Sequence, residues 1–160
     1  MGVALHTGPF DPWSELARYQ ARHCTPGQFG ATACFVGTMR DFNQGDAVLA
    51  LRLEHYPGMT ERALASIVDE AAERWELEAV RVVHRVGEIR PQDPIVLVAV
   101  ASAHRGEAFR ACEFIIDYLK TRAPFWKREQ TADGGTRWVE ARESDEDAAA
   151  AWRDGADTPS

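Results

Sequence analysis

Three stretches of the chain carry a hydrophobic pattern that predicts an element on its own. Pro94 to Ala101 (PIVLVAVA) is almost unbroken apolar, which predicts a central strand covered on both faces. From Thr60 to Trp75 the spacing is helical, with Leu64, Ile67, Val68, Ala71, Ala72 and Trp75 on one face. Thr60 is placed to cap that helix and Glu61 suits its first turn. A second helix is predicted from Arg105 to Arg122, with Phe109, Cys112, Ile116 and Leu119 as its buried stripe. Glu113, Asp117 and Lys120 share another of its faces, so Asp117 and Lys120 are spaced for an ion pair. Pro124 drives Ala123 out of the helical region, which leaves Lys120 in the last turn.

Weaker patterns fill in the rest. Val3 to Thr7 reads as a short strand, and Asp11-Pro12 opens a helix that ends before Pro26-Gly27. Gly30 to Met39 reads as a strand. Val48 to Tyr56 alternates, with Leu49, Leu51 and Leu53 on one face and Arg52 and Glu54 on the other. Asn43 and Gly45 between these two strands predict a hairpin with a long tip. Ala79 to Val86 is a strand, and Gly87 to Asp93 a connecting loop. Phe125-Trp126 starts a strand, TADGGT (Thr131 to Thr136) turns it, and Arg137 to Ala141 returns. Ser144 is placed to cap a short helix through Trp152, and residues 154–160 read as a disordered tail on a single domain spanning 1–153.

Composition narrows the function. At 160 residues and 45% hydrophobic the chain has enough apolar mass for one real core. A net charge of −7 argues against general nucleic-acid binding or an anionic membrane surface, so any basic site must be local. No apolar run is long enough to span a bilayer, and no signal peptide is read at the N-terminus. Cys24, Cys34 and Cys112 are widely spaced with no C-x-x-C; that fits a reducing cytosol and predicts neither metal nor disulfide framework. Nor is a P-loop, a dinucleotide-binding glycine motif or H-E-x-x-H present, and no cofactor is expected.

One charge asymmetry stands out. The chain has sixteen arginines but two lysines, Lys120 and Lys127, both within DYLKTRAPFWKRE. Arg stays protonated at working pH, whereas a Lys amine with a depressed pKa acts as base or nucleophile. Chance clustering with a cation at a helix C-terminus accounts for the same spacing, and both readings stand at this point. Arg40, where strand gives way to loop, is either a solvated charge or an anion ligand. His104-Arg105, where a buried strand ends and a helix begins, is either a solvated helix start or a phosphate or carboxylate site.

The segments GTMRDFNQGD, LEHYPGMTERAL, HRVGEI, SAHRGEAF, DYLKTRAPFWKRE and RWVEARE resemble the large, catalytic subunits of molybdopterin synthase, the MoaE family. The resemblance runs from about Phe35 to Trp152; Met39 beside Arg40, where Val is expected, departs from it. It implies an α+β fold of α/β hammerhead type with an additional antiparallel β-sheet, and a homodimer. It also implies a small ubiquitin-like partner whose C-terminal Gly-Gly carries a thiocarboxylate, together making a heterotetramer. Two sulfurs pass to cyclic pyranopterin monophosphate to form the dithiolene of molybdopterin. Lys120 and Lys127 fall on the family's catalytic lysines, and Arg40, His104 and Arg105 on residues lining its substrate pocket near the dimer interface.

Both proposed reactants are anions, which an acidic protein holds with a local cluster of Arg, His and Lys. Neighbouring cations and aromatic burial lower a Lys pKa toward a usable base. Two rival functions use the same residues: a non-catalytic, anion-binding adaptor for a ubiquitin-like tail, and a Schiff-base lyase acting on a phosphorylated carbonyl compound.

Overall fold

A computed structural model describes residues 1–43, 45–139 and 142–153; the expected tail at 154–160 lies outside the described residues. In chain order the elements are β1 (Gly2–His6), α1 (Pro12–His23), β2 (Ala31–Thr38), β3 (Phe42–Asn43), β4 (Asp46–His55), α2 (Met59–Arg74), β5 (Ala79–Arg85), β6 (Gly87–Ile89), β7 (Pro94–Ser102), α3 (Arg105–Arg122), β8 (Phe125–Thr131), β9 (Thr136–Val139) and α4 (Glu143–Arg153).

The apolar run at β7 is interior, as its composition requires. The first sheet has the order β1-β5-β7-β2, with β1 and β5 parallel and the other pairs antiparallel. Helices cover both of its faces. On one, Leu64, Ile67, Val68 and Ala71 of α2 and Ala108, Ala111, Phe114 and Ile115 of α3 pack on Val80, Val82, Val98 and Val100. On the other, Leu16 and Tyr19 of α1 meet the strands, and Asp11 caps that helix by accepting the Trp13 N–H at 3.0 Å. Phe114 is the hub of the larger core: its ring lies edge-on to Trp75 (5.5 Å), Tyr118 (4.6 Å) and Trp152 (5.5 Å). Through Trp152, α4 is fastened to α3.

The second sheet has the order β3-β4-β8-β9, all antiparallel, with β6 along the edge of β4. Here the structure corrects several expectations. Gly87–Ile89 is strand, because its backbone pairs with Leu51–Leu53 and buries Ile89 completely. The 40–46 hairpin tip is short, because Phe42–Asn43 pairs back onto β4. A register shift between Val48 and Ala50 turns Val48 inward and Leu49 out to 54% exposure, so Leu49 does not share a face with Leu51 and Leu53.

The helices are corrected too. Phe109 is 66% exposed, while Ala108 and Ala111 are buried. The small residues let α3 approach the sheet closely, and its true stripe is Ala108, Ala111, Cys112, Ile115 and Leu119. Gly58, at φ 80°, is the N-cap of α2, and its N–H is accepted by Glu61 Oε2 at 2.6 Å. Thr60 is fully buried and serves elsewhere, as described below. Helix α4 starts at Glu143, so Ser144 lies inside it.

Candidate active site

Where the two sheets meet they enclose a cavity of about 710 Å³. Strand β2 supplies Phe35 and the residues just after it Met39 and Arg40; β4 supplies Val48, Leu51 and Leu53; β5 supplies His84. Leu119 and Lys120 come from the last turn of α3, Phe125 to Lys127 and Glu129 from β8, and Arg142 and Asp145 from the start of α4. An apolar wall thus carries a few converging ionic groups, the usual build of a small-molecule site.

Both lysines face this space. Lys120 is exposed to it from the helix end, where Pro124 stops α3. Lys127 sits between Phe125 and Glu129 on the inward face of β8, since alternate strand residues share a face. Burial first, and then the positive charge of Lys120, push the Lys127 amine down to about 8, against a weaker pull from Asp145. At neutral pH a usable fraction of this amine is therefore unprotonated. Asp117, the expected ion-pair partner of Lys120, instead accepts the Trp152 indole N–H at 2.7 Å.

Neighbouring groups fix the frame. Glu129 is buried and accepts a hydrogen bond from Arg137 Nε at 3.0 Å. The Thr60 hydroxyl donates to the Pro124 carbonyl at 3.1 Å and accepts the Tyr56 N–H at 3.1 Å, tying the start of α2 to the chain entering β8. Tyr56 packs on Trp126 with ring centres 4.4 Å apart. His84 is buried, with its ring stacked on Phe125 at 4.2 Å.

The structure brings together three of the five expected site residues: Lys120, Lys127 and Arg40. His104 and Arg105 are exposed at the opposite end of α3, fifteen residues from Lys120, or about 22 Å at the helical rise. That helix start is also partly occupied from within, by a Ser102 hydroxyl 2.9 Å from the Glu107 carboxylate. Sequence reasoning missed His84, Asp145 and Arg142. The signal for His84 was its period-two placement with Val80 and Val82, on the face of β5 that packs under α2 and α3 and whose far end meets Phe125. Arg142 and Asp145 reach the cavity only because α4 docks through Trp152, which no local pattern announces.

All three cysteines are free; Cys112 is buried, and burial pushes its thiol up to about 12. No group of His, Cys, Asp and Glu among the described residues is arranged to hold a metal ion. No helix among them is long and apolar enough to cross a membrane.

Fold and cavity together describe an α+β enzyme subunit with an amine-lined pocket, of α/β hammerhead type with an additional antiparallel sheet. The chain belongs to the MoaE family, whose description, MoaE protein, matches residues 6–122. It is 64% identical over 123 residues to the molybdopterin synthase catalytic subunit of Escherichia coli (strain K12), covering 77% of this chain and 81% of that one. Over 150 residues it is 58% identical to the protein of the same name from Ralstonia nicotianae, covering 94% and 83%. The solved structure of the molybdopterin biosynthesis MoaE protein from Burkholderia ambifaria MC40-6 superposes with a TM-score of 0.77 at 51% identity, covering 94% of this chain and 97% of that one.

Proposed function

We propose that this chain is the catalytic subunit of a molybdopterin synthase and acts as a sulfurtransferase in the cytoplasm. It takes two sulfurs, one from the C-terminal Gly-Gly thiocarboxylate of each of two successive molecules of a small ubiquitin-like partner. It passes them to cyclic pyranopterin monophosphate. The observation that carries this reading is the pairing of a half-buried, easily deprotonated Lys127 with Lys120 in one largely apolar cavity.

In each transfer the thiocarboxylate sulfur bonds to a carbon of the pterin side chain as a carbon–oxygen bond of that carbon breaks, the oxygen leaving as phosphate oxygen or, protonated, as water; a further water then attacks the acyl carbon. Lys127 takes the proton of the attacking water. The Lys120 ammonium faces the oxyanion and supplies a proton as the acyl carbon–sulfur bond breaks. Sulfur stays on the pterin and the partner leaves as a carboxylate. Arg40 holds anionic oxygen at the cavity rim.

His104 and Arg105 join this site from a second copy of the chain in a homodimer, since a helix of this length keeps them from the cavity of their own chain. Two such chains with two partners make the heterotetramer. The test is to mix the full chain with thiocarboxylated partner and the pterin substrate and weigh the product. A gain of two sulfurs is expected. Partner binding without that gain favours the adaptor, and trapping of the chain on the substrate by borohydride favours the Schiff-base lyase.

A further inference from the structure

The first sheet stops pairing just short of Arg40. Strand β2 runs beside β7 from Ala31 opposite Ser102 to Thr38 opposite Pro94, with a register shift between Gly37 and Thr38. Met39 comes next, and the turn between β6 and β7 holds its backbone instead. The Met39 N–H donates to the Asp93 carbonyl at 2.9 Å, and the Met39 carbonyl accepts the Gln92 N–H at 2.8 Å. The Met39 side chain is buried as well. Arg40 follows directly and lines the cavity. Whatever fixes that turn therefore fixes the point from which Arg40 reaches a ligand.

Residues Arg90 to Asp93 form a β-turn, closed by the Asp93 N–H to the Arg90 carbonyl at 3.0 Å, with Pro91 at its second position. Its third position, the usual place of a glycine, holds Gln92 at φ 75°. Gln92 is the only non-glycine residue with positive φ among the described residues. Such a conformation persists where the surroundings impose it. The Asp93 carboxylate braces the turn by accepting the Arg90 N–H at 3.1 Å. Arg85, at the end of β5, braces it from within. Its side chain is only 4% exposed; Nη2 donates to the Glu88 carbonyl at 2.6 Å, and Nη1 lies 3.9 Å from the Asp93 carboxylate. One guanidinium thus spans the loop from residue 88, before the turn, to residue 93, which closes it. Burying that cation is costly, and its Nε and Nη1 find no hydrogen-bond partner among the described residues. An apolar side chain would fill the space at lower cost but would not reach both ends of the loop.

We infer that Arg85 is a positioning residue for Arg40: it holds the β6–β7 turn at Glu88 and Asp93, the turn holds Met39 by both backbone groups, and Met39 sets where Arg40 enters the cavity. This rests on the reading of Arg40 as a ligand for anionic substrate oxygen. Arg85 itself does not line the cavity, so it acts through the backbone and not by contact.

The test uses the full chain. R85M keeps an unbranched stem but removes the fork. In it the Met39 and Gln92 amides are expected to exchange with solvent about tenfold faster, while amides at the centre of β7 keep their protection. In the sulfur-transfer assay, R40A is expected to raise KM for the pterin about tenfold, the loss of one charged hydrogen bond. R85M is expected to raise it about threefold with kcat nearly unchanged, and to add nothing further when Arg40 is already absent. A residue that only stabilises the fold lowers the amount of active protein and leaves KM in place.

D93N asks the same from the more exposed side of the pair, where folding is less at risk. Its amide oxygen still accepts the Arg90 N–H, but the charge facing Arg85 is gone, and the same two amides are expected to loosen. Unmoved exchange at Met39 and Gln92 in a folded R85M, or in D93N where R85M does not fold, overturns the inference. So does a rise in KM that R85M produces equally in the R40A background. A KM unmoved by R40A alone is a different failure: it removes Arg40 from substrate binding, and the inference falls with that reading.

Discussion

The two sheets of this protein are built from similar strands and put to different uses. The first is covered by helices over most of both faces, and there its side chains mostly touch other apolar side chains; only His84 and parts of β2 and β7 reach the cavity. The second gives one face to a cavity, and along β8 that face reads Phe125, Lys127, Glu129: a ring, an amine and a carboxylate. A sheet with no unfilled side can use Val and Ala throughout. A sheet that walls a cavity must hold polar groups in place, and it does so with partners brought to it: Arg137 for Glu129 and Thr60 for the Pro124 carbonyl.

The largest effect that sharpens this contrast is expected at the cavity. K120R keeps the positive charge but releases no proton, so sulfur transfer should fall roughly 10²–10⁴-fold while folding and partner binding stay near normal. Transfer within a few-fold of wild type would remove Lys120 from the chemistry and make Lys127 the residue to test by the same change. On the scaffold side, F114A empties the hub of the aromatic cluster and should cost about 3–5 kcal/mol by denaturant unfolding.

The third effect separates the regions by pH. Lys127 is lowered from 10.5 to about 8 in the fold. Between those values the unfolded chain holds a proton that the folded chain has lost, so this residue's contribution to stability climbs as pH rises from 8 to 10.5. Below 8 it is a constant burden. The difference between wild type and K127M, followed by unfolding across that window, should show the climb; a flat difference would mean the amine is not buried. His84 acts in the same sense at lower pH: lowered from 6.5 to about 4, it makes the fold lose stability as pH falls through that interval.

Smaller effects test the register of β4. L53A should cost about 2–5 kcal/mol, but L49S should stay within about 0.5 kcal/mol, because the shift after Val48 puts Leu49 in solvent. Equal costs would restore the unbroken alternation that the sequence suggests. Least of all is expected from the cysteines: replacing all three by Ala or Ser, as packing permits, should leave sulfur transfer intact, since the sulfur comes from the partner. Lost turnover with partner binding preserved would point to a persulfide carrier.

Legibility in the sequence follows the same division. The first sheet, α2 and α3 were readable because their patterns are local: a continuous apolar run, a helical stripe, a proline stop. Strand β6 was not, because three residues become strand only when β4 is beside them. Phe109 fits the helical spacing of the expected stripe yet faces solvent, because close helix–sheet packing selects the alanines beside it. Of the cavity, the two lysines and Arg40 were visible through rarity and position. His84, Arg142 and Asp145 were not, because what makes each part of the site is a contact made far along the chain.

The scarcity of lysine has a consequence for the surface as a whole. Sixteen arginines carry the remaining basic charge, and a guanidinium does not acylate at working pH. An activated acyl tail travelling over this protein meets no side-chain amine until it enters the cavity. In side-chain amines the chain is therefore quiet toward its proposed donor except at the place where reaction is wanted, and a stray isopeptide bond from a side chain has only two addresses, both facing the cavity.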